Sequence, residues 1–343
     1  MKILILKPSS LGDIVQAIPV LRLLRLNYPD SEIYWWIDTR FSQILEGDKD
    51  LNGLIYFDRY HWASPFYWSK VFSIISELRN KRFDLVIDLQ GLVRSGAFGW
   101  IVNGDLFVGV DEPREGAIGF YDIIARRPSY YTHAVDWYLE TLRILNVPAH
   151  FNFDWLPPRK EVIDAIDKKW NLANSKYVLI APGGRWKTKQ WFPQYYVSLV
   201  EKLLAEYKNL NFVVIGTEDS SDTANQIKKL AGERCLNLVG KTTIVEMTEL
   251  IRLSKLVVCN DSGPMHIAAA LKKPIVAIFG PTEPRRTGPY GFLQGVIQAP
   301  LPCVPCFKRK CKNTKHLECL HLITPDMAID KIHQLESEGL FLI

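Results

Sequence analysis

Short runs of consecutive apolar residues alternate along this chain with longer stretches in which apolar positions return every three or four residues. The first kind reads as buried strands and the second as helices with one face on a sheet. Strand-like runs in the first half are Lys2–Leu6, Glu32–Ile37, Leu54–Phe57, Asp84–Leu89 and Leu106–Val110, with helical spacing over Ile14–Leu26, Phe66–Arg79 and His133–Leu145. In the second half the strands are Tyr177–Ala181, Phe212–Ile215, Leu256–Cys259 and Ile275–Phe279, and the helices Pro193–Glu206, Ser221–Leu230, Ile244–Leu253 and Pro264–Leu271. Strand, helix, strand in succession makes right-handed crossovers, so the pattern predicts an α/β protein with parallel, doubly wound sheets.

The alternation breaks once, at "NVPAHFNFDWLPPRK", Asn146 to Lys160, where three prolines and mixed polarity interrupt both periods. A chain of 343 residues is long for one core, and a boundary here divides it into Rossmann-like domains over residues 1–150 and 151–324. The last helical run, Pro325–Glu338 within residues 325–343, is too short for a domain and is expected to pack back on one or both. Pro19 inside the first helical stretch is expected to kink the helix or delay its regular part. No short-period repeat is present, which excludes a solenoid.

Composition adds limits. With 48% hydrophobic and 23% charged residues the chain is of the soluble globular class. No apolar run approaches the roughly 20 residues that span a bilayer, and Lys7 arrives too soon for a signal-peptide core, so a cytoplasmic location is expected. A net charge of +5 suits an acidic ligand or an anionic membrane surface. No basic stripe is dense enough for nucleic acid.

The segment "VVCNDSGPMHIAAALKKPIVAIFGPTEP", Val257 to Pro284, carries the clearest chemistry. A strand ends at Asn260, Asp261-Ser262-Gly263 turns the corner, and Pro264 opens a helix where its missing N–H costs nothing. Gly263 lets a ligand approach the backbone, Ser262 adds a hydroxyl beside free amides, and His266 falls in the first helical turn. The same residues also suit an ordinary helix cap. "APGGRWKTKQW", Ala181 to Trp191, supplies a second anion candidate: flexible backbone at Gly183 and Gly184, then Arg185, Lys187 and Lys189. Both segments fall at the carboxyl edge of a doubly wound sheet, which favours a diphosphate pocket. Glu218, after another strand at the same edge, reads alone as an exposed loop acid, with hydrogen bonds from ribose hydroxyls as the other reading. Absence of GxGxxG and of GxxxxGK[ST] weighs against dinucleotide-binding and NTPase readings.

In "LKPSSLGDIVQ", Leu6 to Gln16, a carboxylate, Asp13, stands at a strand-turn-helix corner that would otherwise suit an anion. From spacing alone Asp13 reads as a helix-start cap.

Together "KPSSLGDIVQAIPVLRLLR", "FDLVIDLQGLVRSG", "HAVDWYLETL", "APGGRWKTKQW", "NLVGKTTIVEMTELI" and "NDSGPMHIAAALKKPIVAIFGPTEPRRTGPYG" resemble glycosyltransferase family 9, the bacterial ADP-heptose:lipopolysaccharide heptosyltransferases. The resemblance runs in order from Lys2 to about Thr324. It implies a GT-B fold, two Rossmann-like domains facing across a cleft, and an inverting, metal-independent transfer without cofactor. The C-terminal domain would bind ADP-heptose and the N-terminal domain a lipid A core acceptor, at the inner face of the inner membrane. Asp13 would then be the general base. Asp261 and His266 would face the donor sugar and diphosphate, Ser262 and Gly263 the phosphates, Lys189 the leaving group, Glu218 the ribose and Thr242 the adenine edge. Where family members can carry two threonines at the phosphate-facing turn, this chain has Gly184 and Arg185, so backbone amides or a guanidinium would replace those contacts. A transferase using another nucleotide-sugar, a nucleotide-sugar epimerase of the same fold and a noncatalytic nucleotide-sugar binding protein are the alternatives.

Arg94 and Arg114, the second supported by a similar Arg-Glu in the family, are the acceptor-side candidates. The only Asp-x-Asp, Asp48 to Asp50, reads as surface charge on a loop. The aromatic stripe "YHWASPFYWSKVF", Tyr60 to Phe72, reads first as core and second as a lipid contact. Cys303, Cys306, Cys311 and Cys319 follow C-x2-C-x4-C-x7-C. Reduced structural thiols come first and a four-thiolate zinc site second, since a cytoplasmic setting disfavours disulfides.

Overall fold

The computed structural model describes residues 1–58, 66, 68–172 and 175–341. The chain separates into two compact units, Met1–Trp155 and Leu156–Ile343. Each side of the junction is tied within its own unit: the Trp155 carbonyl accepts from Arg22 Nη2 at 2.9 Å, and the Leu156 carbonyl from Arg252 Nη2 at 2.6 Å.

The first unit contains strands β1 (Lys2–Leu6), β2 (Glu32–Asp38), β3 (Gly53–Phe57), β4 (Leu85–Asp88), β5 (Leu106–Val110) and β6 (Ile123–Ala125). Its helices include α1 (Leu11–Asn27), α2 (Trp68–Lys81), α3 (Val93–Val102) and α4 (Ala134–Ile144). All strand pairs are parallel, in the order β3-β2-β1-β4-β5-β6. The order reverses between β1 and β4, so the loops after these two strands leave in opposite directions and open a crevice at the carboxyl edge.

Helix α1 is buried over most of its length: Ile14, Val15, Ile18, Leu21, Leu23 and Leu24 are fully inaccessible. Pro19 lies inside this continuous 17-residue helix. The regular part starts at Leu11 and is not delayed; the ring removes one backbone bond, and burial of the surrounding apolar surface offsets that loss. Burial also corrects the reading of the Asp48–Asp50 stretch. Arg22, 4% exposed, is clamped by Asp48 through both carboxylate oxygens at 2.6 Å and by Asp50 at 2.6 Å. These acids hold α1 to the β2–β3 connection and are not free surface charge.

Helix α3 was not foreseen, because "VRSGAFGWIV" has two glycines and no clear polar face. Both glycines are needed for close packing: a Cβ on Gly99 would stand 2.3 Å from Phe107 Cζ, and one on Gly96 2.7 Å from the Phe120 ring. The aromatic stripe departs from expectation in the other direction. Phe66, Trp68 and Phe72 are 93%, 52% and 66% exposed, so these three are surface and not core. Residues 60–65 and 67 of that stripe lie outside the described set.

The second unit contains β7 (Tyr177–Ala181), β8 (Asn211–Val214), β9 (Cys235–Asn237), β10 (Leu256–Asn260), β11 (Ile275–Phe279) and β12 (Val296–Gln298), in the order β12-β11-β10-β7-β8-β9. Flanking helices include α5 (Lys160–Trp170), α6 (Pro193–Glu206), α7 (Ser221–Ala231), α8 (Ile244–Leu253), α9 (Gly263–Ala270) and α10 (Pro325–Ser337). Every residue of β7, β10 and β11 is buried, as continuous apolar strands covered on both faces require. Here the order reverses between β7 and β10. Helix α10 belongs to this unit's core through Ala328, Ile329, Ile332 and Leu335, and Lys202 pairs with Asp326 at 2.7 Å. Among the described residues no helix is long and apolar enough to cross a membrane.

Candidate functional site

The two reversal points gather most of the residues singled out from the sequence. In the first unit, the loop after β1 runs Lys7 to Ser10 and turns into α1 at Leu11. Asp13 takes the third helical position and reaches back, so that its Oδ2 accepts from the Ser10 amide at 2.9 Å and the Ser10 hydroxyl at 2.5 Å. The cap geometry is therefore present, and the carboxylate remains half-exposed. It does not stand alone. Lys7, 3% exposed, donates to the Leu89 carbonyl at 2.8 Å and lies 4.6 Å from the Tyr138 ring centre. Burial opposes the Lys7 charge, but Tyr138 and Asp13 outweigh it and raise its pKa above the ordinary lysine value. The Arg114 charge is likewise supported, mainly by Glu112 at 2.9 Å and also by Asp13.

The loop after β4 forms the other wall. Asp88 is fully buried and accepts from the Gln90 amide at 2.8 Å, the Gly91 amide at 3.1 Å and the Tyr121 hydroxyl at 2.8 Å. Burial raises its pKa against these donors. Gly91 has φ +69°, which lets the chain turn sharply before α3. Arg94 follows on the exposed face of α3, its guanidinium 5.3 Å from the Phe57 ring centre.

In the second unit the loops after β7 and β10 meet across the reversal. Lys189 Nζ pairs with Asp261 Oδ2 at 2.6 Å, and the same oxygen accepts from Thr282 Oγ1 at 2.6 Å. Both partners are largely buried, with side-chain exposures of 16% and 4%. Asn260 fixes the relation of the two loops: its Nδ2 donates to the Pro182 carbonyl at 2.6 Å, and its Oδ1 accepts from the Trp191 amide at 3.1 Å and Tyr196 at 3.0 Å. Ser262 precedes α9, whose first turn carries Gly263, Pro264 and the 9%-exposed His266. Pro264 has no N–H and the Met265 amide donates to the Ser262 carbonyl at 3.1 Å, so the Ser262 and Gly263 amides are the ones suited to an anion here. Gly184 and Arg185 lie in the loop after β7; Arg185 is exposed, and the Gly184 carbonyl accepts from Gln190 at 2.6 Å. Glu218 sits after β8 beside Gly240, where a Cβ would meet Glu218 Oε1 at 2.6 Å. Thr242 follows two residues on, just before the Thr243 cap of α8. These side chains lie together at one sheet edge and offer a cation, amides, hydroxyls and a carboxylate.

Reading by segment missed Lys7, Tyr138, Thr282 and Asn260, because each acquires its role from chain remote in sequence. The polar residue ending an apolar strand, Lys7 or Asn260, was the available signal.

Cys303, Cys306, Cys311 and Cys319 line one small cavity of ≈40 Å³. Asn313 donates to Cys303 Sγ at 3.0 Å and the Leu317 amide to Cys311 Sγ at 3.3 Å. All six cysteines are free. Among the described residues no three His, Cys, Asp or Glu side chains are arranged to hold a metal ion. Burial, and then the other three thiols, push the Cys319 thiol up to about 11.

A family model described as glycosyltransferase family 9 (heptosyltransferase) matches residues 71–317. The lipopolysaccharide core heptosyltransferase OpsX of Haemophilus influenzae is 25% identical over 312 residues, covering 85% of this chain and 83% of that protein. Among solved structures, E. coli ADP-heptose lps heptosyltransferase II superposes with TM-score 0.77 at 22% identity over 99% of both chains. E. coli heptosyltransferase WaaC with ADP superposes with TM-score 0.75 at 22% identity over 97% of this chain and 99% of that one. The fold is the two-domain α/β GT-B fold of these structures.

Proposed function

This chain belongs to glycosyltransferase family 9 and is a glycosyltransferase, and from that premise we propose that it moves heptose from ADP-heptose to the inner core of lipopolysaccharide, by inversion and without a metal. The observation that carries the reading is the distribution of chemistry over two reversal points. One holds a half-buried carboxylate, Asp13, whose charge acts on Lys7 and Arg114. The other holds the Lys189–Asp261 pair beside the Ser262 and Gly263 amides.

In the proposed reaction the acceptor hydroxyl oxygen attacks the anomeric carbon from the face opposite ADP. The carbon–oxygen bond to the diphosphate breaks and its electron pair leaves with ADP. The hydroxyl proton passes to Asp13. Charge developing on the diphosphate is stabilised by the amides near Ser262 and Gly263 and by Lys189, which act where a cation would otherwise serve. Asp261, held by Lys189 and Thr282, and His266 orient the donor sugar and diphosphate. Glu218 takes the ribose and Thr242 the adenine edge, while Gly184 and Arg185 contribute an amide and a guanidinium to the phosphates. Arg94 and Arg114 face the anionic acceptor. Work at the cytoplasmic face of the inner membrane is supported by exposed Phe66, Trp68 and Phe72, with Lys70 exposed among them.

Asp13→Asn tests the assignment. Removing a general base costs on the order of 10²–10⁴ in rate, so acceptor-dependent transfer should fall by that factor while ADP affinity, measured by calorimetry, stays at the parent value. Transfer unaffected by the change would remove Asp13 from the chemistry. Turnover of donor without any acceptor would favour an epimerase, and use of UDP- or GDP-sugars alone would replace the heptosyl donor.

A further inference from the structure

The second unit has a cavity of ≈600 Å³ from which the assignments above use only Arg185. Arg185, Trp186 and Lys187 line it from the loop after β7, and Arg309, Lys310 and His316 from the cysteine-bearing loop. No carboxylate is among the residues that line it. Its four permanently charged side chains are donors only, and none of the four is in an ion pair among the described residues.

Trp186 adds an independent sign of a missing acceptor. Its indole N–H is buried and has no hydrogen-bond partner among the described residues. A buried donor of this kind costs roughly 1–3 kcal/mol unless something answers it. The same ring lies 5.2 Å from the Arg309 guanidinium and 4.9 Å from Lys189 Nζ, so two cations lie close to one indole.

The two loops are tied together. Thr188 Oγ1 donates to the Lys308 carbonyl at 2.9 Å, and the Phe307 amide to the Pro281 carbonyl at 2.8 Å. Residues 302–316 form neither helix nor strand, and the four cysteines around their common cavity anchor that irregular stretch. Of its positive charges, Arg309 lies against Trp186.

We propose that this cavity is an anion subsite that takes a carboxylate or phosphate group of the acceptor glycan; the proposal rests on the transferase reading above. A nucleoside diphosphate delivers its charge to Lys189, Arg185 and the amides near Ser262 and Gly263, which leaves three further cations, Lys187, Arg309 and Lys310, without a counter-charge. A lining of donors without carboxylates selects a group that only accepts, which an ionised carboxylate or phosphate does and a neutral sugar hydroxyl does not.

The double variant Arg309→Ser/Lys310→Ser should raise the KM for an intact inner-core acceptor about tenfold, the combined effect of two exposed charges, with ADP affinity as in the parent. Dephosphorylated and carboxyl-reduced acceptors separate the two sources, since the group that is read is the one whose removal makes parent and variant alike. An equal loss of ADP affinity would assign these cations to the donor, and an unchanged acceptor KM would remove the subsite; either overturns the proposal. Titration of ¹⁵N-tryptophan-labelled protein with inorganic phosphate decides the matter even if no heptose is transferred. A saturable shift of the Trp186 indole signal, assigned with Trp186→Phe and absent from the double variant, supports the anion subsite, and no shift overturns it.

Discussion

At the scale of single residues, the assignment of Asp13 depends on what surrounds it. Capping alone would place a carboxylate at this position in many proteins. What differs here is a buried lysine, Lys7, whose pKa is raised despite burial, with Asp13 among the causes. A nearby cation favours the ionised carboxylate, and its removal shifts proton affinity upward. Lys7→Met, which keeps the aliphatic stem, should therefore move the acid limb of the kcat/KM profile to higher pH and lower the rate near neutrality. A uniform loss across the profile, with no movement of the limb, would mean that Lys7 serves only packing. Tyr138 cannot be paired with Asp13 by spacing, because it stands on α4, more than a hundred residues away along the chain, and Lys7, though near in sequence, is buried by that same remote chain.

At the scale of elements, α1 must be held rigidly if Asp13 is to keep its place at the first turn. Arg22 does this from the far end of the helix, through Asp48, Asp50 and the Trp155 carbonyl. Breaking a buried pair on one side leaves an uncompensated charge and costs about 3–5 kcal/mol. Asp48→Asn should accordingly lower the melting temperature by roughly 10 °C, at about 2–4 °C per kcal/mol for a unit of this size; a shift within 2 °C, on the order of a solvated surface substitution, would restore the surface reading. The sequence showed the Asp-Lys-Asp tract but not its partner, since Arg22 looks like any polar residue on a helix. The long strands and most helices were legible because their periodicity is local. The three-residue strands β6, β9 and β12 were not, being too short for any period to register. Helix α3 was hidden for another reason: its glycines disfavour a helix locally and are required by Phe107 and Phe120, which only the folded unit brings close.

At the scale of the whole molecule, both halves solve the same topological problem, with strand orders that reverse beside the first strand of each unit. The residues proposed for the donor, from Gly184 to His266, all belong to the second unit, and that unit closes its own core with α10. The nucleotide site as proposed thus draws on no residue of Met1–Trp155. Expressed alone, residues 156–343 should fold cooperatively and bind ADP within a few-fold of the full chain, a difference of under about 1 kcal/mol. The first unit alone should bind no ADP, and neither unit alone should transfer sugar, because the proposed base and the leaving group are carried on separate units. Calorimetric titration of ADP into each unit checks this directly. Strong loss of affinity in a folded second unit would show that the first unit contributes to the nucleotide site, and the division of chemistry between the two reversal points would have to be redrawn.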